Sequence, residues 1–159
     1  GLEYQLVTNP TTGRTWLDRN LGATRVATSS TDSNAFGHYY QWGRLSDGHQ
    51  IPTSSTTSTL SGGDVPGNSN FITSTVSPKD WRSPQNSSLW QGPSNLKLPT
   101  GSGIRIETGG APVDTGAGYI WTSTISGTDA KFYYVSGGGD FTSNYRRAAG
   151  CPVRPIKNE

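Results

Sequence analysis

Side chains that can build a hydrophobic core are scarce in this chain, and their scarcity constrains the fold more than any other feature. Leu, Ile, Val and Phe together make up 27 of the 159 residues, a share typical of disordered proteins. The net charge is only +2, however, and the chain carries 5 Trp and 7 Tyr. Each buried aromatic side chain removes roughly 150–250 Å² from water, so a few of them replace many aliphatic ones. The composition therefore predicts one folded domain, residues 1–159, with an aromatic-rich core.

The polar composition predicts a fold dominated by strands and loops. Ser and Thr supply 40 residues and Gly 21, whereas Met is absent and no long run of Leu or Ala occurs. Thr, Tyr, Val and Trp favour strands, while Gly, Ser, Asn and Pro favour turns. We expect an α+β fold that is β-dominated, with short antiparallel strands, long loops and little helix.

Local patterns predict individual elements along the chain. The first 17 residues read as a hairpin, and residues 137–140 read as a turn. Residues 35–42 fit a short helix or a loop, and residues 38–44 fit a buried strand or a short buried helix. Residues 45–94 form a long Ser/Thr/Gly-rich region that is either disordered or pinned to the core by isolated apolar residues. These apolar residues recur regularly along the region, which favours pinning. Strands are predicted at residues 4–8, 14–17, 96–98, 104–106, 119–124, 130–135 and 153–156.

Several functional classes find little support in the residues. Lys and Arg are scattered rather than clustered, which argues against a nucleic-acid partner, and no apolar run is long enough to enter a membrane. No serine lies in a nucleophile elbow, and His38 and His49 alone cannot make a transition-metal site. We expect no catalytic residue, metal or cofactor. Cys151 reads as a small buried hydrophobe, with an intermolecular disulfide as the alternative.

Four blocks carry a resemblance to a known family. Residues 12–23 (TGRTWLDRNLGA), 40–49, 118–130 and 147–157 resemble the bacterial and phage C-type-lectin-like domains of the Fibrobacter major paralogous domain type. That group is distantly similar to formylglycine-generating-enzyme-like modules. The resemblance implies a C-type-lectin-like fold for the whole chain.

The chain also departs from the family pattern. Residues 93–100 are only partly similar to the family's Cys-Pro-x-Gly-aromatic-Arg-Leu-Pro-Thr block, no helix-forming sequence follows them, and Pro155 replaces the late cysteine. The family disulfide is therefore absent, and one helix is expected to be deleted. The paired cysteines of the enzyme branch and the Glu-Pro-Asn and Trp-Asn-Asp calcium signatures of lectins are also missing. Neither oxidase activity nor a lectin-type calcium site is implied.

The resemblance and the composition together favour an extracellular recognition or display module on a phage particle or bacterial surface, such as a tail-fibre tip, a decoration protein or an adhesin domain. Its partner would be a cell-surface glycan or protein receptor, or else copies of itself or another virion or surface protein. A self-assembling structural subunit is the alternative, and a glycan-processing enzyme ranks third. The family pattern turns Tyr133 and Val135 inward, so Phe132 and Tyr134 would face outward. The predicted ligand-binding residues are Tyr119, Phe132, Tyr134, Asp140, Asn144, Tyr145 and Arg146.

Overall fold

The computed structural model describes residues 1–86, 103–110, 112–113, 117–136 and 139–153. Within these residues the chain is β-dominated, and its single helical element is a three-residue 3₁₀ turn, Ser33–Ala35. The predicted strand at residues 96–98 lies outside the described residues. The strands are β1 (Leu6–Thr8), β2 (Thr15–Leu17), β3 (Tyr40–Gln41), β4 (Thr56–Thr57), β5 (Phe71–Ile72), β6 (Ile104–Arg105), β7 (Pro112–Val113), β8 (Gly118–Ser126), β9 (Asp129–Ser136), β10 (Gly139–Arg146) and β11 (Gly150–Cys151).

The longest strands form one antiparallel sheet in the order β10-β9-β8. The predicted hairpin of β8 and β9 is confirmed, with Ser126 opposite Asp129 across the turn. β10 was not predicted: the sequence placed a turn at residues 137–140 and no strand between it and residue 153, but Gly139 already pairs with Ser136. This prediction is wrong because Gly, Asp and Asn favour turns locally, whereas pairing with β9 extends the segment into a strand.

A second sheet joins distant parts of the chain in the order β3-β11-β6-β7. Its central strand is β11, where Gly150 pairs with both Gln41 and Arg105. The sequence predicted a closing edge strand at residues 153–156. Val153 is not in a strand, and residues 154–156 lie outside the described residues. Just before this segment, Gly150–Cys151 supplies the central strand β11, which the sequence did not predict.

The predictions for residues 1–44 agree with the structure more closely. The hairpin of β1 and β2 is confirmed, with Leu6 opposite Leu17. Residues 35–42 form no α-helix: the 3₁₀ turn ends at Ala35, and its N-cap is Asp32, whose carboxylate accepts the Asn34 N–H at 3.2 Å. Residues 38–44 contribute the short strand β3, which agrees with the strand alternative.

Three fully buried tryptophans hold the core together through their indole N–H groups. Trp81 donates to the Trp42 carbonyl at 2.8 Å, Trp42 donates to the Thr122 carbonyl at 3.1 Å, and Trp121 donates to the Tyr40 carbonyl at 2.8 Å. Each tryptophan therefore packs its ring and also fixes a backbone segment remote in sequence. The sequence predicts Trp16, Trp42 and Trp121 as core residues, because each lies in a strand-like block flanked by small or polar residues. Burial of Trp42 and Trp121 confirms this prediction, whereas Trp16 is only half-buried.

Within residues 45–86, aromatic and aliphatic side chains pin an irregular segment to the core, as the sequence favoured. Phe71, Ile72 and Trp81 are completely buried. Val65 and Val76 are largely exposed, so only part of the apolar set serves as anchors. β4 and β5 pair in parallel within this segment. The remainder of the predicted loop region, residues 87–94, lies outside the described residues.

Buried arginines bond the loop backbone. Arg44 donates to the Asn68 and Asn70 carbonyls at 2.9 Å each and lies over the Trp81 ring. Arg147 donates to the Gly127 carbonyl at 2.8 Å. Such guanidinium groups satisfy carbonyls that would otherwise be buried without partners in irregular structure. At these carbonyls the arginine side chains take the place of a regular backbone hydrogen-bond ladder.

Arg105 is the most connected of these arginines. It donates to the carbonyls of Gly110, Ile51 and Ser54 and to the Ser54 hydroxyl, and its guanidinium lies 4.0 Å from the centre of the Phe71 ring. Burial lowers the pKa of Arg105 to about 10. The side chain thus ties residues 49–54 and 110 to β6.

No helix among the described residues is long and apolar enough to cross a membrane.

Candidate functional site

Four aromatic rings lie in a row on one face of the β10-β9-β8 sheet. The centroid distances are 5.1 Å between Tyr134 and Tyr119, 5.4 Å between Tyr119 and Phe132, and 6.1 Å between Phe132 and Tyr145. The register explains the row, because Tyr119 is opposite Tyr134 and residues opposite each other share a face. We call these four residues the aromatic row.

The aromatic row has one buried ring, Phe132, and three half-buried ones. Phe132 is only 5% exposed and packs in the core with Trp121 and Cys151. The predicted outward orientation of Phe132 is therefore wrong, and Tyr133, which was predicted to face inward, is half-buried. Aromatic residues at adjacent positions present apolar surface on both faces of a strand, so the pattern along β9 could not identify the inner one.

The predicted rim residues do not all lie beside the row. Asn144 pairs with Lys131 and Arg146 pairs with Asp129, positions that alternate with those of the row and so belong to the opposite face. The Arg146 side chain nevertheless bends back, and its guanidinium carbon is 5.8 Å from the centre of the Tyr145 ring. Asp140 pairs with Val135 in the backbone register.

A charged cluster continues the row beyond Tyr145. The Glu107 carboxylate is buried, and its Oε1 accepts from Lys79 Nζ at 3.3 Å and from Arg146 Nη1 at 3.2 Å. Lys79 and Arg146 are partly exposed, with 23% and 45% of their side chains accessible. Two cations on one carboxylate leave a local charge of about +1, so this end of the row favours a ligand with negative or hydroxyl oxygens. We call Lys79 and Arg146 the cation pair.

The backbone holds Lys79 firmly in an uncommon conformation. Its φ angle of 58° lies in the left-handed region, which non-glycine residues seldom adopt. Its N–H donates to the Val76 carbonyl at 2.7 Å, and its carbonyl accepts from Ala148 N–H at 3.0 Å. The fold thus stabilises a conformation that directs the Lys79 ammonium to Glu107.

Sequence reasoning did not select Lys79 or Glu107. Lys79 lies inside the Ser/Thr-rich region, where no local pattern distinguishes it. Glu107 offered a weak signal, because only three Glu occur in the chain and this one follows a predicted strand. Its Oε2 atom is buried and has no hydrogen-bond partner among the described residues.

His49 and Asp47 have the geometry of a catalytic pair but not its chemistry. His49 Nδ1 lies 2.7 Å from the Asp47 carboxylate, and its Nε2 accepts the Gln41 backbone N–H at 3.1 Å. Both ring nitrogens are therefore occupied, and the imidazole is completely buried. Burial, with a smaller contribution from the charge of Arg44, lowers the pKa of His49 to about 4. The ring is neutral at pH 7 and braces the loop instead of accepting a substrate proton.

Within the described residues, no group of three or more His, Cys, Asp or Glu side chains could hold a metal ion. Cys151 is completely buried, and burial raises the pKa of its thiol, in agreement with the prediction of a small buried hydrophobe.

Comparisons with protein-family models, with curated proteins and with solved structures found no match for this chain. The resemblance of the four sequence blocks to C-type-lectin-like domains therefore stays a prediction.

Proposed function

We propose that this chain is a non-catalytic ligand-recognition or display module of C-type-lectin-like fold, carried extracellularly on a phage particle or bacterial surface. The mutual packing of the four resemblance blocks supports the proposed fold. The Leu21 N–H donates to the Val153 carbonyl, β11 pairs with β3, and Trp121 bonds the Tyr40 carbonyl. Segments remote in sequence but similar to one family are thus joined to each other by hydrogen bonds.

The aromatic row, ending at the cation pair, is the observation that carries the functional proposal. Half-buried tyrosines held by a sheet offer contact area at low entropic cost, which is why binding surfaces are rich in them. The apolar faces of sugar rings can stack on Tyr119, Tyr134 and Tyr145, while Arg146 and Lys79 supply donors for hydroxyl or acidic oxygens. A cell-surface glycan is the ligand that this combination of rings and donors fits best.

The rest of the molecule suits a rigid scaffold. Buried arginines and tryptophans bond the backbone of the loops and hold the loops in place. The loop surface is therefore presented to a ligand without the entropic cost of ordering the loops on binding. His49, the one histidine paired with a carboxylate among the described residues, has no nitrogen left for acid–base chemistry. Both features support recognition over catalysis.

Glycan-array binding tests the proposal. A Tyr119→Ala, Tyr145→Ala double variant should remain folded and lose binding at least tenfold. The matched control is Tyr133→Ala, which removes a half-buried tyrosine from the alternate face of β9 and should bind normally. Equal loss in both proteins would indicate a general effect on the sheet and contradict the assigned surface. Absence of glycan binding by the unsubstituted protein would contradict the ligand class.

The alternative function, a structural subunit that assembles with copies of itself, is favoured by one observation: no described strand pairs with the outer edge of β10, and Thr142, Ser143 and Asn144 are exposed there. Light scattering over a range of concentrations separates the two. Growth into large open-ended assemblies would support the structural subunit, whereas a small closed species agrees with a recognition module.

A further inference from the structure

Among the described residues, no strand pairs with the outer edge of β10. β10 has eight residues and lies at the end of the β10-β9-β8 order. Thr142, Ser143 and Asn144 are all exposed, so both faces of the sheet are open to solvent at the middle of this edge. The strand contains no proline or lysine, the residues with which proteins usually block such edges. It is therefore a template for pairing with another strand.

The hydrogen bonds of the sheet identify the backbone groups that point outward. The Lys131 carbonyl accepts the Thr122 hydroxyl at 3.1 Å and thus faces β8. Because backbone groups alternate along a strand, those of Ala130 and Phe132 face β10. Their partners, Tyr145 and Ser143, therefore direct their N–H and C=O groups toward β9.

It follows that the even-numbered residues of β10 direct their backbone groups outward. These include Thr142 and Asn144, and among the described residues no hydrogen bond occupies the outward groups of this pair.

We propose that β10 pairs antiparallel with β10 of a second copy about a twofold axis at Ser143. Antiparallel pairing requires outward-facing residues to lie opposite each other. With Ser143 on the axis, Thr142 lies opposite Asn144 of the second copy, and four backbone hydrogen bonds form between these residues. This inference goes beyond the proposed function and does not depend on the ligand.

The same register makes the strand self-complementary in charge. Counting outward from Ser143, Asp140 of each copy lies opposite Arg146 of the other, and Phe141 lies opposite Tyr145. Opposite charges and aromatic pairs in directly opposed positions both stabilise antiparallel strands. Moving the axis to Thr142 keeps the hydrogen-bond pattern but places Asp140 opposite Asn144. Charge complementarity therefore selects the axis at Ser143.

The other edge of the sheet is not equivalent. The Trp42 indole occupies the Thr122 carbonyl, Gly103 bridges to Gly118, and the register of β8 shifts between Trp121 and Ile125. A covered and irregular strand cannot accept a regular partner. β10 is thus the edge at which the sheet can continue, and the twofold axis closes the assembly at six strands.

A cysteine on the axis tests the register. Opposed residues of a non-hydrogen-bonded pair have Cα atoms about 4.5 Å apart, within the range of a disulfide. Ser143→Cys should therefore give a disulfide-linked dimer under mild oxidation. In the matched control Asn144→Cys, the two Cα atoms are more than about 7 Å apart by strand geometry, so cross-linking should be much slower. The native Cys151 is buried, so the unsubstituted chain is the blank.

A proline tests the hydrogen bonds without breaking the intramolecular sheet. Thr142→Pro removes an outward N–H, which edge strands tolerate. By symmetry it deletes two intermolecular hydrogen bonds, and we expect dimerisation measured by sedimentation to weaken by about tenfold or more. Thr142→Val keeps the N–H and should dimerise like the unsubstituted protein.

Charge reversal tests the pairing of Asp140 with Arg146. Asp140→Arg and Arg146→Asp should each dimerise poorly alone, because like charges oppose each other, and should form a mixed dimer when combined. Circular dichroism checks that each variant is folded. If Arg146→Asp does not fold, the two single variants Asp140→Arg and Thr142→Pro still test the proposal. A protein that stays monomeric at millimolar concentration, or equal cross-linking of the 143 and 144 cysteine variants, overturns the proposal.

Discussion

Acidification from pH 7 to pH 4 is expected to destabilise the fold by about 3 kcal/mol through His49 alone. The buried imidazole has a pKa of about 4 in the folded protein, against 6.5 for an unperturbed histidine. Burial is the main cause, the charge of Arg44 adds to it, and Asp47 opposes both. The folded pKa is the lower one, so the unfolded chain binds the proton first. The contribution of the neutral His49 imidazole to stability is fully present above about pH 6.5, and it is lost as the pH falls from there to about 4.

The magnitude follows from the width of that window. Each pH unit in which only the unfolded chain is protonated costs about 1.4 kcal/mol, and the window spans roughly two and a half units. Urea unfolding at pH 7, 6, 5 and 4 measures the loss. His49→Gln is the informative comparison, because its amide oxygen can accept the Gln41 N–H while the side chain no longer titrates.

The His49→Gln protein should lose much less stability over this range, while His38→Gln, at the half-buried histidine, should follow the unsubstituted protein more closely. Carboxylates that titrate near pH 4 affect all three proteins, so the difference between them isolates the imidazole. Parallel stability curves for the His49→Gln and unsubstituted proteins between pH 7 and 5 would refute the reasoning. A nitrogen NMR titration of His49 with a midpoint near 6.5 would do the same.

Three further outcomes are expected. Trp121→Ala should cost about 3–5 kcal/mol in thermal or urea unfolding, and Trp16→Ala clearly less, since only Trp121 is in the core; equal losses would show that burial does not control the difference. Cys151 should react with a thiol reagent only as fast as the protein unfolds, because its thiol is buried and its pKa is raised; rapid labelling of the native protein would contradict this. Arg105→Lys should destabilise by roughly 3 kcal/mol, because one ammonium cannot reach both Gly110 and Ser54; an unchanged urea midpoint would mean that these carbonyls find other donors.

Much of the β-architecture could be read from local patterns. The β1–β2 and β8–β9 hairpins were predicted because alternating residues flank turn-forming ones, and both patterns lie within about twenty residues. Trp42 and Trp121 were assigned to the core because each large ring lies in a strand-like block. The anchoring of the Ser/Thr-rich segment, to which Phe71 and Trp81 contribute, was favoured because apolar residues recur regularly along that segment.

The candidate site was only partly predictable. Tyr119, Tyr134 and Tyr145 do lie together with Phe132, as the sequence suggested, but Phe132 belongs to the core. Aromatic residues at adjacent positions of β9 give both faces similar hydropathy, so packing against Trp121 decides which face is inside.

The sequence by itself determined the class of this protein: a β-dominated, loop-rich fold with an aromatic core, because composition and short-range alternation act through neighbouring residues. Only the tertiary structure decided that Gly139–Arg146 is a strand, that Glu107 gathers Lys79 and Arg146, and that His49 is braced on both nitrogens. Each of these arrangements joins groups whose partners are set by the path of the chain. Hydrogen bonds and charges in irregular structure leave no periodic trace in the sequence, so their partners become visible only when the chain has folded.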